Sequence, residues 1–401
     1  MSELAARAQR VLRTSHAEGE RAGVRFSYTR PSPSRYPWQW YWDSCFAAIV
    51  WRRFDPAMAR AELETLLAAM REDGFVGHVI FWEGPISWRR NLYYNIADRR
   101  APTTSTIQPP LLAWAWRIAV GDTGAEPRIA RHHEWLRGNR DLEGDGLLWI
   151  VQPDESGLDS SPKYDPVWGW RAHARLGFPL LVRRNRRLGW DARRIREAGG
   201  PVLCEVMTNV LWGLARLAAG EASITPALVE RLWDERSGLF LDEAQPGGLR
   251  PAIATIAALA PLALPDLPEA IGRRLVEEHL LDPARFWLPV PPPSVSASEP
   301  SFEPGRGPGF KRRYWRGPTW VNAAWLVWLG LRRLGYEAAA AQMARTLAST
   351  VLREGLREYY DPRTGAGLGA TDFAWTSLVL EMAEPATPPD PPAPPANRWP
   401  S

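Results

Sequence analysis

Apolar positions recur at helical spacing through most of the chain. The stretch "DPAMARAELETLLAAMRED" (55–73) sets the pattern, with Asp55 as an N-cap, Pro56 at the first helical position and apolar residues every three or four thereafter. The same period predicts helices over 108–120, 126–138, 166–189, 201–220, 225–236, 268–280, 317–335, 336–355 and 371–383. The N-terminal "MSELAARAQRVLRTSHAEGERAG" reads as one more amphipathic helix, rich in Arg and Glu. Strand-like alternation is scarce. "GHVIFW" (77–82) and "GLLWI" (146–150) are the best candidates.

About ten to twelve helices joined by Gly- and Pro-rich connections make an all-α protein. A closed helical toroid, a solenoid and a large bundle all meet that description. A solenoid would show a fixed period of roughly 34–47 residues, and none is found. Long segments at 74–107, 139–165 and 284–316 separate helical blocks, where a toroid places pocket-forming connections. They are rich in Trp, Tyr, Asp and Arg and are expected to be ordered. Residues 1–383 are expected to form a single domain, followed by a disordered Pro-rich tail, "EPATPPDPPAPPANRWPS" (384–401).

Composition narrows the function. The 401 residues carry a net charge of only +4, and no basic run tracks a groove, which argues against nucleic acid as a partner. Two cysteines, Cys45 and Cys204, exclude a disulfide framework and suit a reducing cytoplasm. No signal peptide and no apolar run of about eighteen residues is present, so no membrane span is expected. The outlier is tryptophan, at 22 residues, which is more aromatic surface than a core alone requires.

That aromatic surface is concentrated beside acids. "RYPWQWYWDSCF" (35–46) sets Trp38, Trp40 and Trp42 at alternate positions next to Asp43. Flat rings cover the C–H faces of a pyranose, and carboxylates and amides hold its hydroxyls, so this mixture suits a sugar pocket. "QPDESGLDSSPKYD" (152–165) holds four carboxylates around Gly157, and "LREYYDPRTGAGLGATDFAW" (356–375) sets Glu358 before Tyr359, Tyr360 and Asp361. "RRYWRGPTWVNAAW" (312–325) reads equally as a pocket wall or as an aromatic helix start packed in the core. Plain alternatives exist for the acidic stretches too: a solvated acidic loop for 152–165, and an Arg partner for Glu358. His132 and His133 are adjacent, so their rings diverge on a helix and no metal site is expected there. The glycines at 365, 367 and 369 form no dinucleotide motif, and no nucleophile elbow or phosphate-binding loop is present. Neither a metal nor another cofactor is expected. What remains is carboxylate chemistry in an aromatic pocket, the equipment of glycoside hydrolysis.

Five segments in order carry a resemblance: "YPWQWYWDSCF" (36–46), "APTTSTIQPP" (101–110), "ESGLDSSP" (155–162), "YWRGPTW" (314–320) and "EYYDPRTGAGLG" (358–369), followed by "DFAWTSLVL" (372–380). The chain resembles glycoside hydrolase family 63, in its bacterial branch of mannosylglycerate and glucosylglycerate hydrolases, and more distantly the trehalases. The resemblance implies an (α/α)6 barrel and hydrolysis with inversion. It places a general acid on Asp159 and a general base on Glu358. It puts Tyr36, Trp40, Trp42, Asp43 and Gln108 around the sugar, with Tyr314, Trp315 and Trp320 as aromatic walls. An inverting pair should stand roughly 6.5–9.5 Å apart to admit water. A glycerate carboxylate would need donors such as Arg89, Arg90, Lys311, Arg312 or Arg313, of which Arg89 is the leading candidate. Two other readings stay open: an α-glucosidase of an uncharged disaccharide, and a non-catalytic sugar-binding helical protein. Mannose against glucose, and the oligomeric state, are not legible from the residues.

Overall fold

The computed structural model describes residues 1–84, 102–169, 177–304 and 314–385. Six segments pack in a closed cycle around its axis: Tyr41–Trp51, Leu112–Ala119, Val206–Ala218, the 3-10 segment Ile256–Ala263, Val321–Arg333 and the 3-10 segment Ala374–Leu378. Each touches the next, and the sixth returns to the first. Their sequences explain the placement. All eleven residues of Tyr41–Trp51 are buried, as are all eight of Ile256–Ala263, and a segment apolar all round belongs inside.

Amphipathic helices back this inner ring. Pro56–Ala68 packs on Tyr41–Trp51, Thr225–Leu232 on Val206–Ala218, and Glu337–Glu354 on Val321–Arg333. The last of these buries Ala340, Met343, Ala344, Leu347 and Val351, a stripe at helical spacing, and leaves its other face to water. The sixth hairpin is made from both chain ends. The N-terminal helix Glu3–Ser15 packs on Ala374–Leu378 and on Val379–Ala383, which follows it. The arrangement is the (α/α)6 toroid, and no described helix is long and apolar enough to cross a membrane.

Several local expectations are corrected. The N-terminal helix ends at Ser15. Residues His16–Arg21 and Val24–Thr29 form an antiparallel hairpin instead, in register Gly19↔Phe26. The ring of Phe26 lies over Gly19, where an added Cβ would come within 2.7 Å of it, so cross-strand packing overrides the polar composition of "HAEGER". The helix expected over 201–220 starts at Val206, capped by the Glu205 carboxylate, because Val202–Cys204 is a strand. That over 166–189 is represented by Asp165–Trp168 and Gly177–Arg187, with 170–176 outside the described residues. Both expected strands exist but shrink to Val79–Ile80 and Trp149–Ile150.

These short strands fix the loops at the N-terminal ends of the inner segments. Gln39–Trp40 pairs with Val79–Ile80 and holds the start of the first inner helix. Trp149–Ile150, Val202–Cys204 and Glu243–Gln245 form a small antiparallel sheet just before the acidic loop. Tyr359–Tyr360 pairs with Gly367–Leu368 in a hairpin whose foot is Glu358.

Candidate active site

A cavity opens where those loops converge. It holds about 710 Å³ of empty space, counting the open solvent at its mouth. Pro31, Tyr36, Trp40, Trp42, Asp43, His78, Gln108, Gly157, Asp159, Tyr314, Phe373 and Trp375 line it. Tyr36, Trp40, Trp42, Asp43, Gln108 and Tyr314, all expected from the sequence, thus line one cavity together with Asp159.

The aromatic stretch divides its rings between wall and core. Trp40 and Trp42 face the cavity, whereas Trp38 packs on Phe81 at 5.3 Å. Trp42 meets Trp375 edge-on at 5.4 Å and presses against Gly157, where a Cβ would come within 2.4 Å of its ring. Gly157 also holds a positive φ of 73°, so both its backbone and its lack of a side chain are required there. Asp43 occupies the first turn of the helix Tyr41–Trp51, and burial, followed by the nearby Glu358, pushes its carboxyl well above the usual range. Gln108 accepts the backbone N–H of Trp42 through Oε1 at 2.9 Å, satisfying an orphan donor of that helix start and fixing its own rotamer.

Glu358 stands one layer back. It is 0 % exposed and is not itself a lining residue. Its Oε1 accepts the hydroxyls of Tyr314 at 2.6 Å and Tyr36 at 3.0 Å, and its Oε2 accepts the backbone N–H of Ala370 at 2.8 Å. Burial raises its pKa, while those hydrogen bonds and the Arg35 guanidinium oppose the rise.

Asp159 lines the cavity on the loop that Glu155 anchors. Glu155 accepts Nη1 and Nη2 of Arg140 at 2.7 and 2.6 Å and the backbone N–H groups of Ile107 and Val151 at 3.0 and 2.7 Å. Asp154, also buried, is pushed up to about 8, first by burial and then by the charges of Asp159 and Glu155. Buried polar atoms with no hydrogen-bond partner among the described residues gather at this site: Asp43 Oδ1, Trp40 Nε1, His78 Nδ1, Ser160 Oγ and Trp375 Nε1.

Trp315 and Trp320 are not cavity walls. They stack on each other at 3.9 Å with planes 7° apart, both buried, and back the wall that Tyr314 and Trp42 present. Large rings at a helix start can serve either layer, and here core packing claims them. Arg89, Arg90, Lys311, Arg312 and Arg313 lie outside the described residues. His78, Pro31, Phe373 and Trp375 were not anticipated. Phe373 and Trp375 had a sequence signal, in the matching segment 372–380. His132 bonds Tyr41 Oη and the Gly74 carbonyl, and His133 bonds Glu221.

Comparison with known proteins places this geometry. Residues 36–376 match the mannosylglycerate hydrolase MGH1-like glycoside hydrolase domain. A mannosylglycerate hydrolase of Thermus thermophilus is 30% identical, the match covering 88% of this chain and 95% of that one. A glucosylglycerate hydrolase of Mycolicibacterium hassiacum is 26% identical over 94% of this chain and 96% of its own length. Among solved structures, the family 63 mannosylglycerate hydrolase of Thermus thermophilus in complex with glucose superposes with a TM-score of 0.78 at 29% identity, over 94% of this chain and 99% of that one.

Proposed function

We propose, from the premise that this chain belongs to the mannosylglycerate hydrolase MGH1-like glycoside hydrolase family and is a glycosidase, that it cleaves mannosylglycerate or glucosylglycerate with inversion. Asp159 is the general acid and Glu358 the general base. The observation that carries this reading is the cavity itself. Aromatic faces, the polar side chains of Asp43, His78 and Gln108, and Asp159 surround a space suited to one sugar ring, and Glu358 meets that space through two tyrosine hydroxyls.

In the reaction, the Asp159 proton passes to the glycosidic oxygen as the bond to the anomeric carbon breaks. A water attacks the opposite face of that carbon, and its proton ends on Glu358. Trp40 and Trp42 cover the ring faces, while Asp43 and His78 offer buried polar atoms to the hydroxyls. The glycosidic partner lies toward the mouth. The donors expected for a glycerate carboxylate, among Arg89, Arg90, Lys311, Arg312 and Arg313, lie outside the described residues.

The test compares release of sugar from mannosylglycerate and glucosylglycerate with release from the same sugars linked to glycerol, following the anomer by NMR. The charged aglycone should be preferred by about ten- to a hundred-fold, the value of one charge-assisted contact, and the product should be inverted. Equal rates on charged and neutral aglycones would sink the glycerate assignment. Retention of configuration would sink the roles of the two carboxylates.

A further inference from the structure

Both acceptor positions on Oε1 of Glu358, the oxygen that the two lining tyrosines approach, are already occupied. A carboxylate oxygen has about two lone-pair sites. Oε1 fills both with tyrosine hydroxyls, Tyr314 at 2.6 Å and Tyr36 at 3.0 Å. Oε2 takes the Ala370 N–H at 2.8 Å and is packed so closely on Gly369 that a Cβ there would stand 2.4 Å from it. Glu358 is fully buried and does not line the cavity, whereas Tyr36 and Tyr314 both do. A base must lie within hydrogen-bond reach of the proton it removes, and of Glu358 and the two phenols bonded to it only the phenols line the cavity.

We propose that Glu358 removes the proton through Tyr314: the attacking water gives a proton to Tyr314 Oη while Tyr314 gives its own to Glu358 Oε1. This rests on the assignment of Glu358 as the base. The step balances. A lone pair of the water oxygen forms the new bond to the anomeric carbon, and the pair of the breaking bond leaves on the glycosidic oxygen, which takes the Asp159 proton. Tyr314 begins and ends neutral. Glu358 ends protonated and Asp159 ionised, and exchange with solvent resets both. Tyr314 is chosen over Tyr36 because its hydroxyl makes the shorter bond to Oε1. Burial and the charge of Glu358 hold the Tyr314 phenol well above its ordinary pKa, so it conducts a proton and does not release one by itself.

The experiment measures kcat and KM of Tyr314→Phe, Tyr36→Phe and Glu358→Ala on the glycoside the wild type turns over, with and without azide. Azide is already an anion and needs no proton removed. Tyr314→Phe should lose about 10²-fold or more in kcat, with KM within about threefold of wild type. Azide should restore much of the turnover of both Tyr314→Phe and Glu358→Ala, giving the inverted glycosyl azide. Tyr36→Phe should lose less kcat than Tyr314→Phe. A Tyr314→Phe kcat within about threefold of wild type, a larger loss in Tyr36→Phe, or a loss in Tyr314→Phe that azide leaves untouched would each overturn the relay. If Glu358→Ala itself keeps wild-type turnover, the base assignment fails first, and that outcome is separate from failure of the relay alone.

Discussion

At the residue scale, the environment of Glu358 sets a pH dependence. Its carboxyl is raised above its ordinary value of 4.5 mainly by burial, and a base must be ionised to act. Activity should therefore rise with pH through a midpoint above 4.5, a direction opposite to that of a salt-bridged carboxylate. The Tyr36 hydroxyl is one of the contacts opposing the rise. Tyr36→Phe should move the acidic limb of kcat/KM further upward, and a limb that stays put would show that the contact does not tune the base. Gly369 belongs to the same neighbourhood. It holds a φ of 69°, and its missing Cβ is what lets Oε2 reach the Ala370 N–H. Gly369→Ala should cost roughly 1–3 kcal/mol in stability for the strained backbone. It should also lower kcat by about tenfold or more by displacing the carboxylate, read by chemical denaturation and steady-state kinetics. At this scale Asp43, Trp40 and Trp42 stand out in the sequence because they crowd rings beside an acid, whereas Gln108 was named through the family resemblance alone. His78 does not stand out, because a single histidine just ahead of the two-residue strand Val79–Ile80 carries no spacing signal.

At the element scale, the loop carrying Asp159 is held by buried ion pairs on both sides of it, Arg140 with Glu155 and Lys163 with Glu205 and Asp242. Arg140 and Glu155 are 1 % and 0 % exposed, and Glu155 also collects two backbone N–H groups from separate segments. Removing one partner of such a pair leaves an uncompensated charge and typically costs about 3–5 kcal/mol. Arg140→Met should show a loss of that size. It should also reduce kcat more than it raises KM, since Asp159 lies four residues beyond the anchor. A destabilised variant with unchanged kcat would confine the pair to folding. Arg140 ends a helix that the periodicity foretold, but its partner is not visible from sequence, because the fourteen residues between them contain other acids. The same limit explains the missed inner segments. Tyr41–Trp51 and Ile256–Ala263 are apolar on every side, so they show no 3.6-residue pattern to find. Amphipathic outer helices such as Pro56–Ala68 and Glu337–Glu354 were found because one face of each meets water, the second close to its limits and the first ending at Ala68, short of the expected 73.

At the scale of the whole molecule, the ring is as stable as its buried charges allow, and Glu62 gives that statement a sign. Glu62 lies on the outer helix Pro56–Ala68 but is 1 % exposed, facing the inner helix, where it accepts the Ser44 hydroxyl. Ser44 in turn accepts from Gln39, which also accepts the Trp82 indole N–H at 2.6 Å. This polar strand joins the base of the aromatic stretch to the ring. Burial raises the Glu62 carboxyl from 4.5 to about 7, and hydrogen bonds from Ser44 and Thr29 offset only part of the rise. Between those values the folded chain keeps a proton that the unfolded chain releases. Stability therefore falls as pH rises from about 4.5 and stops falling above about 7. The shift corresponds to a loss on the order of 3 kcal/mol. Glu62→Gln keeps the shape and an acceptor for Ser44 while removing the titration. The stability difference between variant and wild type should thus move in the variant's favour by that amount from pH 4.5 to pH 8. Taking the difference cancels the other buried acids, Asp154 and Asp242, which titrate in both proteins. Urea denaturation at the two pH values measures it. A difference that stays constant would mean that Glu62 remains ionised inside the fold.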